Sequence, residues 1–288
     1  MKGVFETGPG REDWQRRKSL MWRLAMAVAA LYAILAVYWL FAVPPIDAWT
    51  RHAPPALGAL VTPMLYLVTY GLQAAILFLL LVRGQSLTRL VASRQPPSRR
   101  VSAMVVAVAL VTAGVLTVVT NPATSGRLMR LSGTAGWALS GLSFLVVAAG
   151  EEFLFRAVLQ TTLIRLFNPT AGVLGGAVLF AGFHVGEIFL FVHATPAGAA
   201  LQFFGDFASG VLGGILAWRS GSLAIPTAIH WLGDWNPWAG TALGVGSTWG
   251  GVIPWAFYLG SLALLELARY WARVHPVQYH GDPNAAVP

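Results

Sequence analysis

The chain has no cysteine, which excludes disulfide staples, thiol catalysis and any metal site built on thiolates. It is also poor in charge: 10% of its residues are Asp, Glu, Lys or Arg, against about 25% in an ordinary soluble domain. Only eleven of the 288 residues are acidic. With so few charges the chain cannot clothe a solvated globular surface, and no stretch of it reads as a separate soluble domain. There is no internal repeat, which argues against inverted-repeat transporter folds.

Hydrophobic residues make up 56% of the sequence, in runs of membrane-spanning length from Leu20 nearly to the C-terminus. The expected fold is therefore all-α: a polytopic membrane protein with about eight transmembrane helices. The spans read as Leu20–Val43, ended by Pro44-Pro45, then Leu57–Val82, Val101–Val119, Thr134–Leu166, Ala171–Val192, Ala197–Trp218, Leu223–Leu243 and Val252–Trp271. Gly-rich Gly240–Gly251 is either a loop or a re-entrant turn. The first run is longer than a signal-peptide core and Arg23 interrupts its start, so it reads as an uncleaved helix. Residues 1–19 and 273–288 are polar tails around a single transmembrane domain, 20–272, whose motif-bearing core is 134–243.

The net charge of +8 follows the positive-inside rule, which removes nucleic acid as a partner. With eight spans, fifteen cationic residues fall on the side of the N-terminus: those of Lys2–Arg23, the loop Arg83–Arg100, and Arg165, Arg219, Arg269 and Arg273. Three, Arg51, Arg127 and Arg130, fall opposite, and Arg156 lies within a span. Both termini are thus expected in the cytoplasm, and the expected location is a bacterial cell (inner) membrane. The twelve tryptophans, Trp39, Trp49, Trp137 and Trp271 among them, mostly suit interfacial belts.

Against this background Gly150-Glu151-Glu152-Phe153-Leu154-Phe155-Arg156 stands out: two adjacent carboxylates and an arginine inside a hydrophobic run. Charge is costly there, so such a cluster marks a functional site. Of the six histidines, only His184 and His230 fall well inside spans. At about 1.5 Å per helical residue, Glu151 lies about 22 Å along its helix from the cytoplasmic end, and His184 about 20 Å along its own. His230 and Asp234 come out at about 10 and 16 Å, so three helices bring ionisable groups to overlapping depths. Glu152 and Arg156 are four residues apart with the acid first, the favourable order for an ion pair. Glu151 points about 100° away, free to meet a histidine.

Glu-Glu-x-x-x-Arg, Phe-x-x-x-His and His-x-x-x-Asp, in that order on successive helices (Glu151–Arg156, Phe180–His184, His230–Asp234), resemble the CPBP intramembrane proteases. That family includes type II CAAX prenyl endopeptidases and bacteriocin-processing or immunity proteins. The resemblance implies an intramembrane endopeptidase in which Glu151 and His184 activate a water, while Glu152 and Arg156 hold the site in shape. His230 and Asp234 take the place of the family's oxyanion-stabilising pair. The last position is commonly Asn in the family; Asp234 carries a donor only when protonated, so orienting His230 or binding a cation are alternatives. Asn236 lies off that face and is no substitute. The implied partner is a membrane-associated peptide or protein, lipidated if the substrate is CAAX-like, with the lipid between helices and the peptide entering a cavity open to the cytoplasm.

No cofactor is required in this reading. Zinc is the alternative, because Glu151, His184, His230 and Asp234 are all ligand types it accepts, and the resemblance leaves metal dependence open. Two other functions compete: a non-proteolytic scaffold or immunity-type binding protein using the same polar cavity, and a proton- or ion-coupled transporter. Glu187 and Asp206 are read as structural or cavity-lining, Phe180 and Phe183 as packing, and Gly175-Gly176 and Gly213-Gly214 as close helix contacts.

Overall fold

The computed structural model describes residues 9–50, 52, 55–82, 133–190 and 195–242, together with single positions at 107 and between 259 and 270. Apart from those single positions, the expected third and eighth spans lie outside the described residues, as do the C-terminal tail and most of Gly240–Gly251. Among the described residues the structure is helical, with no strand. The helices are α1 (Pro9–Val37), α2 (Val43–Thr50), α3 (Pro55–Leu77), α4 (Gly133–Glu152), α5 (Thr161–Leu166), α6 (Pro169–Leu190), α7 (Pro196–Ser220) and α8 (Ala224–Ala242). Among the described residues three π-helical segments continue them without a break: Tyr38–Ala42, Phe78–Val82 and Phe153–Gln160. Among the described residues, three helices are long and apolar enough to cross a membrane: Asp13–Ile46, Met64–Val82 and Pro196–Ser220. Pro169–His184 is a shorter apolar helix.

One boundary departs from the sequence reading. Pro44-Pro45 does not end the first helical run, because both prolines sit in the opening turn of α2, directly after the π-helical Tyr38–Ala42. Proline is tolerated there, where the wider turn has already broken the regular ladder that its missing N–H would otherwise interrupt. The other breaks follow the expected chemistry. Asn168 Oδ1 accepts from Ala171 N at 2.9 Å ahead of α6, with Pro169 as that helix's first residue. Thr195 caps α7 by accepting from Gly198 N at 3.2 Å, and Gly221 ends it in the left-handed conformation at φ 65°.

The packing centres on α4 and its π-helical continuation. α4 lies between α3 and α8, and Phe153–Gln160 packs against α6 and α7. Around this centre Leu154, Phe155, Val158 and Leu159 join Leu31 and Leu77 in one buried cluster. Large apolar side chains such as Val68, Leu79, Leu201 and Phe204 point outward instead, as a lipid-facing surface requires. Several buried and half-buried polar groups find partners within the bundle, where no bulk water is at hand, although both side-chain polar atoms of the buried Gln73 have none. Arg23, the charge that interrupts the first run, donates from Nε to Leu80 O at 2.7 Å, and Tyr32 Oη donates to Leu179 O at 2.9 Å. Thr161 and Thr162 return their hydroxyls to Arg156 O and Val158 O on their own helix.

Small residues let α6 and α7 approach each other and the Phe153–Gln160 segment, Gly176 and Gly213 being two read from the sequence as close contacts. A Cβ on Gly210 would lie 3.1 Å from Ala177, one on Gly213 3.3 Å from Arg156 Nη2, and one on Gly176 3.2 Å from Gln160 Cβ. Gly172 is tighter still, because a Cβ there would come within 2.2 Å of the Ile164 side chain and 2.9 Å of the Ile164 backbone nitrogen. Backbone cannot swing aside, so Gly172→Ala should separate α5 from α6 and destabilise the fold by about 1–3 kcal/mol. A lowered midpoint in thermal unfolding of the purified protein checks this.

Not all tryptophans serve as belts. Trp49 is exposed, but Trp39 packs against the buried cluster, edge-on to Tyr38. Trp231 donates from Nε1 to Gly141 O at 2.7 Å and stacks on Trp235 at 5.4 Å, riveting α8 to α4. These indoles bridge helices because each offers a large apolar face with one donor at its edge. The side chains of Trp137 and Trp271 lie outside the described residues.

Candidate active site

The two glutamates occupy the last two positions of α4, where the helix widens into Phe153–Gln160. π-helical turns inside longer helices are rare and concentrate at functional sites. The widening carries Arg156 and Gln160 on the same buried run as the carboxylates.

Glu152 is wholly buried and held from two sides. Arg156 Nε lies 3.1 Å from its Oε2, and Arg156 Nη2 donates to its Oε1 at 3.3 Å. His230 Nδ1 lies 3.0 Å from the same Oε1. Arg156 is itself only 1% exposed. Its guanidinium stands 4.6 Å over the Phe180 ring on one side and against Gly213 on another. The sequence reading paired Glu152 with arginine; the structure adds His230 to that pair.

Glu151 has different surroundings. Tyr70 Oη donates to its Oε1 at 2.5 Å. Its other oxygen, Oε2, lies 3.6 Å from His184 Nε2 and 3.6 Å from His230 Nε2. Both separations exceed a direct hydrogen bond, so Oε2 is closed off from solvent yet without a hydrogen-bond partner among the described residues. His184 Nδ1 is 2.9 Å from Phe180 O. A carbonyl only accepts, so Nδ1 donates to it and Nε2 is the ring nitrogen that faces Glu151. Asp234 Oδ2 lies 3.3 Å from His230 Nε2, which places three carboxylates around one imidazole.

The phenylalanines of the second motif pack the site. Phe180 and Phe183 are buried, both edge-on to Phe155, and the Phe180 ring stands edge-on to His184 at 4.8 Å and to His230 at 5.6 Å. Exposure rises in one direction across the cluster. Glu151 and Glu152 are closed off, the His230 side chain is 10% exposed and that of His184 19%, and the Asp234 side chain is 33% exposed. A ligand reaching the carboxylates meets Asp234 and the histidines first.

Glu151, Glu152, Arg156, His184, His230 and Asp234 are therefore gathered in one place. Asp206 lies close enough to interact electrostatically with Glu151, His184 and His230, and is held by Gln202 Nε2 at 3.0 Å. The side chains of Glu187 and Asn236 lie outside the described residues. Tyr70 escaped the sequence reading. Nothing singled out its hydroxyl from the polar groups around it, Tyr66, Thr69 and Gln73, and its partner lies eighty-one positions away. Among the described residues no three His, Asp or Glu side chains are grouped so as to hold a metal ion.

Residues 133–236 match the Rce1-like type II CAAX prenyl endopeptidase family. No curated protein and no solved structure matches the chain. The matched segment contains all three motifs and runs from the start of α4 to within α8, while α1 to α3, Tyr70 included, lie outside it. The match ties this segment to a protease family, and the apolar helices beside it place that segment in a membrane protein.

Proposed function

We propose that the protein is an intramembrane endopeptidase that hydrolyses a peptide bond with a water activated by Glu151 and His184. The observation that carries this reading is Glu151 Oε2, buried and standing 3.6 Å from each of two imidazole Nε2 atoms. A water admitted with the substrate beside Oε2, and held there by His184 Nε2, gives a proton to Glu151 as its oxygen attacks the scissile carbonyl carbon. The carbonyl becomes a tetrahedral oxyanion, for which the Nε2–H of His230 is the nearest donor. The amide C–N bond then breaks, and the departing nitrogen takes the proton that Glu151 received. Asp234 is assigned to orienting His230, because a carboxylate cannot donate to an oxyanion and its Oδ2 lies 3.3 Å from that ring. Arg156 and Glu152 keep the adjoining helices in register.

The substrate class rests on the family match: a membrane-associated peptide with a prenylated CAAX-like tail, its lipid between helices and its peptide entering on the side of Asp234. The finer topology, eight spans with both termini and the cavity mouth in the cytoplasm of a bacterial inner membrane, is supported by the charge asymmetry of the sequence.

Purified protein in lipid vesicles should cleave a quenched-fluorescence peptide ending in a prenylated CAAX tail. His184→Ala should lower kcat by about 10²–10⁴-fold while leaving the fold intact, and EDTA should leave wild-type activity unchanged. Full activity in His184→Ala would sink this assignment of roles, and loss of activity to EDTA that zinc restores would return the four ligand-type residues to a metal site. A scaffold or immunity-type protein would show no cleavage and would keep its partner in the same variant. Membrane proteomics of wild type against Glu151→Gln identifies the natural substrate.

A further inference from the structure

We infer that Tyr70, on α3 and outside the family-matched segment, is a positioning residue for Glu151, so that the site is completed by a helix the family motifs do not include. The inference deepens the endopeptidase reading and rests on Glu151 as its base.

The two neighbouring glutamates have partners of opposite kinds. Glu152 is met by the Arg156 guanidinium, a permanent cation that holds the carboxylate as a fixed anion. Glu151 is met by a phenol, which at neutral pH is an uncharged donor with a single proton. A neutral donor can fix the orientation of a carboxylate without cancelling its charge, which suits a group that must accept a proton. Tyr70 occupies Oε1 and leaves Oε2 as the oxygen that faces both imidazoles. A carboxylate lacking that bond could turn partway about its last torsion and swing Oε2 out of line with the imidazoles, since terminal torsions of this kind are broad. Glu151 is 3% exposed, so bulk water is poorly placed to do the work of the phenol.

The backbone is shaped to admit the ring. Gly150 directly precedes the two glutamates, and a Cβ there would lie 2.7 Å from Tyr70 Cγ and 2.9 Å from its Cβ and Cδ1. The ring thus rests on the α4 backbone where only glycine lets it approach. Its height against Glu151 is set by main chain rather than by a mobile side chain. Tyr66 stands beside it, one turn earlier on α3, at 6.3 Å between ring centroids.

The test compares Tyr70→Phe with wild type and with Glu151→Gln, using the vesicle-reconstituted protein and the prenylated reporter peptide. Removing the hydroxyl should lower kcat by about 10- to 100-fold, the scale of a small misplacement of a reacting group, with KM held within about twofold because no substrate contact is lost. Wild-type kcat in Tyr70→Phe alongside an inactive Glu151→Gln overturns the inference and leaves the endopeptidase reading standing. Full activity in Glu151→Gln overturns both. A raised KM with unchanged kcat would make Tyr70 a substrate contact and would also overturn it. Should Tyr70→Phe not fold, a fluorinated tyrosine at position 70 keeps the ring and changes only the donor strength of its hydroxyl. A change in kcat then supports the inference, and an unchanged kcat overturns it.

Discussion

Glu151→Gln should reduce turnover of the prenylated reporter by about 10²–10⁴-fold, the contribution of a positioned general base, and should do so without unfolding the protein. The two halves of that expectation come from the two oxygens of the side chain. The amide oxygen of glutamine can still accept from Tyr70, so the contact between α3 and α4 survives. Its amide nitrogen then replaces Oε2 in front of the imidazoles, and an NH2 group cannot take a proton from water. Steady-state kcat in vesicles, beside circular dichroism and thermal unfolding of the same preparation, checks both halves. Turnover at the wild-type rate would remove Glu151 from the chemistry and the endopeptidase proposal with it. The neighbouring change is expected to differ in kind: Glu152→Gln removes the charge partner of a buried guanidinium, so it should lower the unfolding midpoint first and turnover as a consequence.

How much of this was legible in the sequence depends on the range of the interaction. The Glu152–Arg156 pair is four residues apart on one helix, and the convergence of His184 and His230 on the glutamates followed from counting helical residues along three apolar runs. Depth survives such counting because helix rise is nearly constant. Lateral contact is harder to see. Helical spacing left Glu151 to find a histidine but could not foresee that two ring nitrogens would stand at the same distance from one oxygen. Nor could it foresee that His230 would reach Glu152 with its other nitrogen. Tyr70 was invisible because it is one of several polar side chains in its run, beside Tyr66, Thr69 and Gln73, and its partner lies on a helix remote in sequence. The π-helical stretch Phe153–Gln160 was equally hidden, since its residues are ordinary helix formers and what distinguishes it is the buried ring of neighbours it must serve. Residues that looked like membrane-interface anchors, Trp39 in particular, turned out to bind helix to helix for the same reason: an indole suits any boundary between apolar and polar surroundings.

Arg156→Met should be among the most destabilising single changes in the molecule, at about 3–5 kcal/mol. Arg156 heads the fully buried side chains among the described residues by size, and its guanidinium faces Glu152, the Phe180 ring and the space left by Gly213. Methionine fills much of that volume, so packing accounts for little of the loss. The cost comes from Glu152, left as a buried carboxylate with only His230 opposite it. Arg156→Lys should recover part of the loss, because a point ammonium restores the charge but cannot span both carboxylate oxygens as the planar fork does. The double change Glu152→Gln with Arg156→Met separates charge from shape. Without an anion to strand, it should unfold closer to the wild type than Arg156→Met does, as buried ion pairs replaced by neutral groups of similar volume often permit. Unfolding midpoints of the three variants measure this directly. If the double variant were no more stable than Arg156→Met, the guanidinium's packing against Phe180 and Gly213, rather than its charge, would be what holds α4, α6 and α7 together at the site.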